Sequence, residues 1–242
     1  MIWDSKLEAI RGKSLRRRFA TIPCLPSQLR EQNANPTTSV YLTGIDRIKV
    51  DIIEPETSDD EDASEKRKAS SPSKVLEKVK AYITENQLSA DDGDSLWCVI
   101  DVDRWPQEQI EELHAFCAQK DNWHLVISNP SIEIWLLYHK RADLSDLGIQ
   151  TAKDAKQALD RIEKGGYYYI KYLPLMLDAI ENAQQADSNP DGYMPELLQT
   201  KVYQLGRALY DRMGKVRFEK FVASLPSIEK EILKRKMRNT RK

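Results

Sequence analysis

A chain of 242 residues, 40% hydrophobic and 31% charged, is long enough for one large domain or one domain with an elaboration. A formal net charge of -1 excludes a protein that binds polyanions through bulk charge alone. No apolar run approaches the roughly 18 residues of a membrane-spanning helix, and the opening Met-Ile-Trp-Asp-Ser-Lys lacks the apolar stretch of a secretory signal.

Three widely spaced cysteines, Cys24, Cys98 and Cys117, form neither a disulfide framework nor a zinc pattern, so a reducing cytoplasm is the expected compartment. Charge is unevenly spread. Arg11, Lys13, Arg16, Arg17 and Arg18 crowd the start, and Lys230, Lys234, Arg235, Lys236, Arg238, Arg241 and Lys242 crowd the end. Basic ends of this kind can grip phosphates, or they can simply be solvated tails.

In chain order, residues 1–45 give no clear element and read as a divergent N-terminal segment. The first strand is expected at Ile48–Ile53, where Ile48, Val50 and Ile52 alternate with Lys49 and Asp51. Thr57–Ser73, rich in Ser, Asp, Glu and Lys, cannot bury enough apolar surface to offset the entropy of ordering, so a mobile loop is expected there. Pro72-Ser73 then opens a helix to about Glu85, with Val75, Leu76, Val79 and Ile83 at helical spacing. The continuous apolar run Leu96-Trp-Cys-Val-Ile100 reads as a strand covered on both faces. A helix from about Gln107 to Lys120 and a strand at His124–Ile127 complete a βαβ unit, hence a parallel pair. Ser131–His139 reads as a short amphipathic helix. Residues 146–242 read as helical, with segments at 152–164, 173–187, 197–213 and 218–236.

Asp101-Val-Asp103 ends the most apolar strand. Alternation points both carboxylates to one face, and ligands of open parallel sheets gather beyond the carboxyl ends of strands. Two carboxylates together repel, which a divalent cation such as Mg²⁺ or Mn²⁺ relieves. The plain alternative is a solvated turn in which an aspartate caps the helix after Pro106. Ser128-Asn129-Pro130-Ser131-Ile132-Glu133 leaves the next strand at the same edge. There Asn129 could hold a loop carbonyl or a phosphate oxygen, and Glu133 could serve a metal. Alternatively, Ser131 caps the helix and Glu133 favours its first turn. Of the three histidines, His114 falls on an apolar stripe and His124 opens a strand. His139 ends the Glu133 helix, within reach of the edge as a catalytic candidate or as a helix C-terminal residue. Gly165-Gly-Tyr-Tyr-Tyr-Ile-Lys171 sets aromatics beside a cation, suited to substrate contact or to packing.

Taken together, Trp97-Cys-Val-Ile-Asp-Val-Asp103 and Ser128-Asn-Pro-Ser-Ile-Glu-Ile-Trp-Leu-Leu-Tyr-His139 resemble the two signature blocks of the RloB-like family of bacterial phage-defence proteins. Gly166-Tyr-Tyr-Tyr and Thr200-Lys-Val-Tyr203 are similar to weaker features of that family. The resemblance implies a TOPRIM-like (Rossmann-like) α/β core over residues 46–145, with a mainly parallel sheet flanked by helices. It implies a Mg²⁺-dependent nuclease acting on DNA or RNA, often beside an ATPase partner. Asp101 and Asp103 map as metal ligands, Glu133 and His139 as catalytic candidates, and Asn129 with Lys171 as phosphate contacts. The family's opening block carries acids that complete the metal site. The nearest stretch here, Gln32–Leu42, puts Asn33 and Thr38 at those positions, leaving Glu31, Asp51 or Glu54 as substitutes. A catalytically inactive interaction or sensor subunit is therefore the alternative to the nuclease.

Overall fold

Six residues from Ser95 to Ile100 are buried in succession, which a strand achieves only when both faces of its sheet are covered. In the computed structural model, residues 17–23, 48–52, 71–88, 94–102, 105–164 and 169–239 are described. Strands β1 (Arg17–Pro23), β2 (Ile48–Ile52), β3 (Ser95–Asp101) and β4 (Trp123–Ser128) form one sheet in the order β2-β1-β3-β4. Every pairing in it is parallel.

Alternation divides the side chains of β3 between two cores. Leu96, Cys98 and Ile100, with Leu125 and Ile127 of β4, pack under helices α1 (Pro72–Asn86) and α2 (Gln107–Cys117). Val75, Leu76 and Val79 of α1 and Ile110, Leu113 and Cys117 of α2 supply the other half of that layer. The Cys98 and Cys117 sulfurs meet there at 3.8 Å, and this contact together with burial pushes the Cys98 thiol pKa upward. Trp97, Val99 and Val126 face the opposite way, onto α3 (Glu133–Tyr138), α4 (Ala152–Ile162), α5 (Tyr169–Tyr172), α6 (Met176–Ala186) and α7 (Val202–Met213). The C-terminal helices thus share a core with the sheet. Each fully buried Leu or Ile contributes about 2 kcal/mol from burial. A last helix, α8 (Lys215–Asn239), carries Pro226 in its interior and seats Phe218 against Tyr210 of α7.

Local chemistry sets the helix ends. The Ser71 hydroxyl accepts from Lys74 N and Pro72 occupies the first turn, so 71–73 begin α1 instead of closing the expected mobile loop. The rest of that stretch, 57–70, lies outside the described residues. Thr151 and Asp154 form a reciprocal capping box on α4.

Two features depart from the sequence expectations. Strand β1 lies within the segment read as having no element, because Arg17-Arg18 dilute its only apolar alternation. And α7 starts at Val202, not Leu197. Leu198 takes a left-handed conformation (φ 68°), and 198–201 lie along the exit of β4, where their backbone bonds to Ile127 and Asn129. Among the described residues no helix is long and apolar enough to cross a membrane.

The approach of α7 to α6 and α3 is tight at Gly206. A Cβ on Gly206 would sit 3.1 Å from Ile180 Cγ1 and 3.4 Å from Trp135 Cη2. Gly206→Val is expected to lower stability by about 1–3 kcal/mol through overpacking. Gly206→Ala should be near neutral, because its helix propensity offsets the crowding. Urea denaturation of both variants checks this, and equal losses in the two would disprove it.

Candidate active site at the carboxyl edge of the sheet

The strand order reverses between β1 and β3, and in open α/β sheets the ligand crevice lies beyond the carboxyl ends at such a reversal. Pro23 pairs with Val99, so β3 runs two residues past the end of β1 and carries Asp101 beyond it. Asp101 pairs with Ser128, the last residue of β4, which puts both on the edge expected from the βαβ spacing. By alternation Asp101 shares the sheet face of Trp97 and Val99, the side of the C-terminal helices. Val102 N donates to Ser128 O at 3.1 Å and holds the two strand ends together.

The other flank of β4 is closed by the strip before α7. Leu198 N donates to Asn129 O (2.9 Å), Asn129 N to Gln199 O (3.0 Å), and Lys201 N to Ile127 O (2.8 Å). Ser128 and Thr200 share a hydroxyl hydrogen bond of 2.7 Å. The Asn129 side chain donates to Pro195 O at 3.0 Å, so it holds a loop carbonyl, the first of its two expected roles.

Beneath this strip, Lys201 and Tyr203 of the Thr200-Lys-Val-Tyr203 stretch meet Asp187, a partner that the sequence did not indicate. Lys201, 1% exposed, donates to both oxygens of Asp187 (2.8 and 2.6 Å) and to Asn189 O (2.6 Å). Tyr203 donates to Asp187 at 2.8 Å, and burial with that bond pushes the phenol pKa up to about 12. Every ammonium proton has an acceptor, which a buried cation requires.

The next turn leaves polar groups open. After the cis Asn129-Pro130 peptide, the Ser131 hydroxyl is buried without a hydrogen-bond partner and does not cap α3. Glu133 is 7% exposed and forms no hydrogen bond or ion pair with any described residue. A buried hydroxyl of this kind nearly always has a partner, so Ser131 stands out at this edge. Unpaired oxygens suit a hard divalent cation. Among the described residues no group of three or more His, Cys, Asp or Glu is arranged to hold a metal. Asp103, Glu31, Asn33, Thr38 and Glu54 lie outside them, and Asp51 is described only by its place opposite Ala20 in the β1–β2 pair.

His139 and Lys171 belong to a second cluster. The His139 ring packs edge-on to Trp135 and against Tyr172, with Nδ1 2.9 Å from Trp135 O. Burial, aided by Lys140, lowers its pKa to about 4 against the opposing effect of the Trp135 carbonyl. This is a neutral packing residue, and its contacts are with α3 and α5. Lys171 is exposed and pairs with Glu163 (2.8 Å), which also meets Lys140 (3.1 Å). These two lysines, Lys171 foremost, hold the Glu163 carboxyl below its ordinary range.

Helices on both faces of a parallel sheet, with polar groups gathered at the carboxyl edge of its strand reversal, define a doubly wound α/β protein. The chain belongs to the RloB-like family, whose model, described as RloB-like protein, matches residues 30–209. No curated protein and no solved structure matches it.

Two outcomes are expected. Lys201→Met strands Asp187 in the core and should cost about 3–5 kcal/mol. A Lys201→Met/Asp187→Leu double variant should recover much of that in chemical denaturation. An additive loss would disprove the pairing. For His139, the folded pKa of about 4 lies below the ordinary 6.5, so the unfolded chain protonates first. The contribution is complete above pH 6.5 and is lost as pH falls toward 4, roughly 3 kcal/mol in all. Burial lowers the His124 pKa as well, so His139→Phe should shrink the pH slope of the urea midpoint without abolishing it. An unchanged slope would contradict the assignment.

Proposed function

We propose that this protein is a Mg²⁺- or Mn²⁺-dependent nuclease of the TOPRIM type that acts on nucleic acid in bacterial phage defence, alongside an ATPase partner. One observation carries the reading. The buried, unpartnered Ser131 hydroxyl and the largely buried Glu133, which pairs with no described residue, follow β4, whose last residue stands beside Asp101 of β3. Asp101, Asp103 and Glu133 would hold the cation, which when bound polarises a phosphate and activates water for in-line attack. Asn129 contributes by fixing the loop on Pro195 O, so that Ser131 and Glu133 leave β4 in one direction. His139 takes no proton-transfer role, because its imidazole is buried and neutral.

A second reading, a catalytically inactive interaction or sensor subunit, is favoured by Asn33 and Thr38 standing where the family's opening acids stand.

Metal-dependent stability separates the two. With a Kd of about 1 mM and about 10 mM Mg²⁺, binding stabilises the native state by about 1.4 kcal/mol, a rise in Tm of about 3–5 °C. Asp101→Asn/Asp103→Asn and Glu133→Gln should each remove that rise and any cleavage together, with the fold retained by circular dichroism. A wild-type protein whose Tm ignores Mg²⁺ and Mn²⁺, even with nucleic acid present, points to the inactive subunit. Cleavage undiminished in the double variant would overturn the mechanism.

A further inference from the structure

Helix α8 carries eight cations against three acids in 25 residues, although the whole chain has a net charge of -1. In its first half Phe218 and Leu225 are buried, and Phe218 packs on Tyr210. Glu229 is half-buried, and its charge helps to raise the Lys171 pKa, so this acid faces the domain. Arg217, Lys220, Lys230 and Lys234 are exposed, and none forms an ion pair with a described residue. Lys230 and Lys234 stand on one side of the helix, about 6 Å apart along its axis, and Arg238 follows four residues later in the sequence. Like charges at this spacing destabilise a helix unless an anion meets them.

We propose that the outer side of α8 is a sequence-independent contact for the phosphate backbone of double-stranded nucleic acid, separate from the edge where Asp101 sits. This rests on the nucleic-acid part of the function proposed above. Three features select the partner. The charge is complementary to a duplex that carries one negative charge per about 1.7 Å of axis. The exposed residues of the helix include no aromatic side chain, whereas single strands are held on aromatic platforms. A membrane-surface helix sinks its apolar side into lipid, and here Phe218 and Leu225 are committed to the protein core.

The test measures binding of a labelled 20-base-pair duplex to the full chain by fluorescence anisotropy, in EDTA so that no metal-dependent cleavage intervenes. Lys230→Gln/Lys234→Gln/Arg238→Gln should weaken binding at least tenfold at low salt. It should also lower the slope of log K against log salt by about 2.7, the loss of three phosphate contacts. A charge-matched control, Lys120→Gln/Lys153→Gln/Lys164→Gln, alters exposed lysines on other elements and should bind like the wild type. Equal losses in both variants, or no loss in the α8 variant, would overturn the proposal. So would vesicles containing anionic lipid that bind the chain as tightly as the duplex. Asp101→Asn/Asp103→Asn should retain duplex binding. If no cleavage is found yet α8-dependent binding persists, the nuclease reading fails and this inference stands. If Mg²⁺ stabilises the chain but no duplex binds, the inference alone fails.

Discussion

The ion pair between Lys201 and Asp187 is the constraint on which the carboxyl edge depends. An ammonium and a carboxylate excluded from water are tolerable only if each finds its partners, and here the partners are spread along residues 187 to 203. Satisfying them folds that stretch back on itself and brings its last residues against β4. The bonds to Ile127, Ser128 and Asn129 follow, and with them the exit direction of the turn bearing Ser131 and Glu133. The pair contributes little net stability compared with an apolar substitute, but it specifies one path for the backbone among several.

How much of this was legible in the sequence depended on distance along the chain. The strand at 95–101, its parallel neighbour and the placement of Asp101 came from the run Leu96–Ile100 and the spacing of one βαβ unit, all local signals. Lys201 was not legible. Its partner lies 14 residues away, and a lysine among Thr, Val and Tyr reads as one more helical residue until tertiary contacts remove it from water. The signal that existed was the Thr200-Lys-Val-Tyr203 stretch at the start of α7, which named the residues but not their partner. Strand β1 was hidden for a related reason: its arginines look like a solvated run, and pairing with β2 and β3 depends on segments far away in the chain.

The site candidates divide in the same way. Asn129 and Glu133 were placed by the strand they follow, and the structure ties Asn129 to that edge through Leu198, Gln199 and Pro195, with Glu133 opening α3 four residues on. His139 was judged by proximity along one short helix, but a six-residue helix carries its end away from the strand and into the packing around Tyr172. Burial then decides its chemistry, because an imidazole inside an apolar cluster stays neutral. Lys171 is a surface cation whose charge is matched by Glu163, a pairing across eight residues that periodicity does not reveal.

Pro226 gives α8 a mechanical character that its charge does not convey. Lacking an N–H, it leaves the Val222 carbonyl without the usual rung of the helix ladder and crowds that turn. Phe218 and Leu225 anchor the helix to the fold before the proline, and Glu229 faces the domain after it. The direction in which the helix carries Lys230 and Lys234 away from Phe218 is thus set at a single turn.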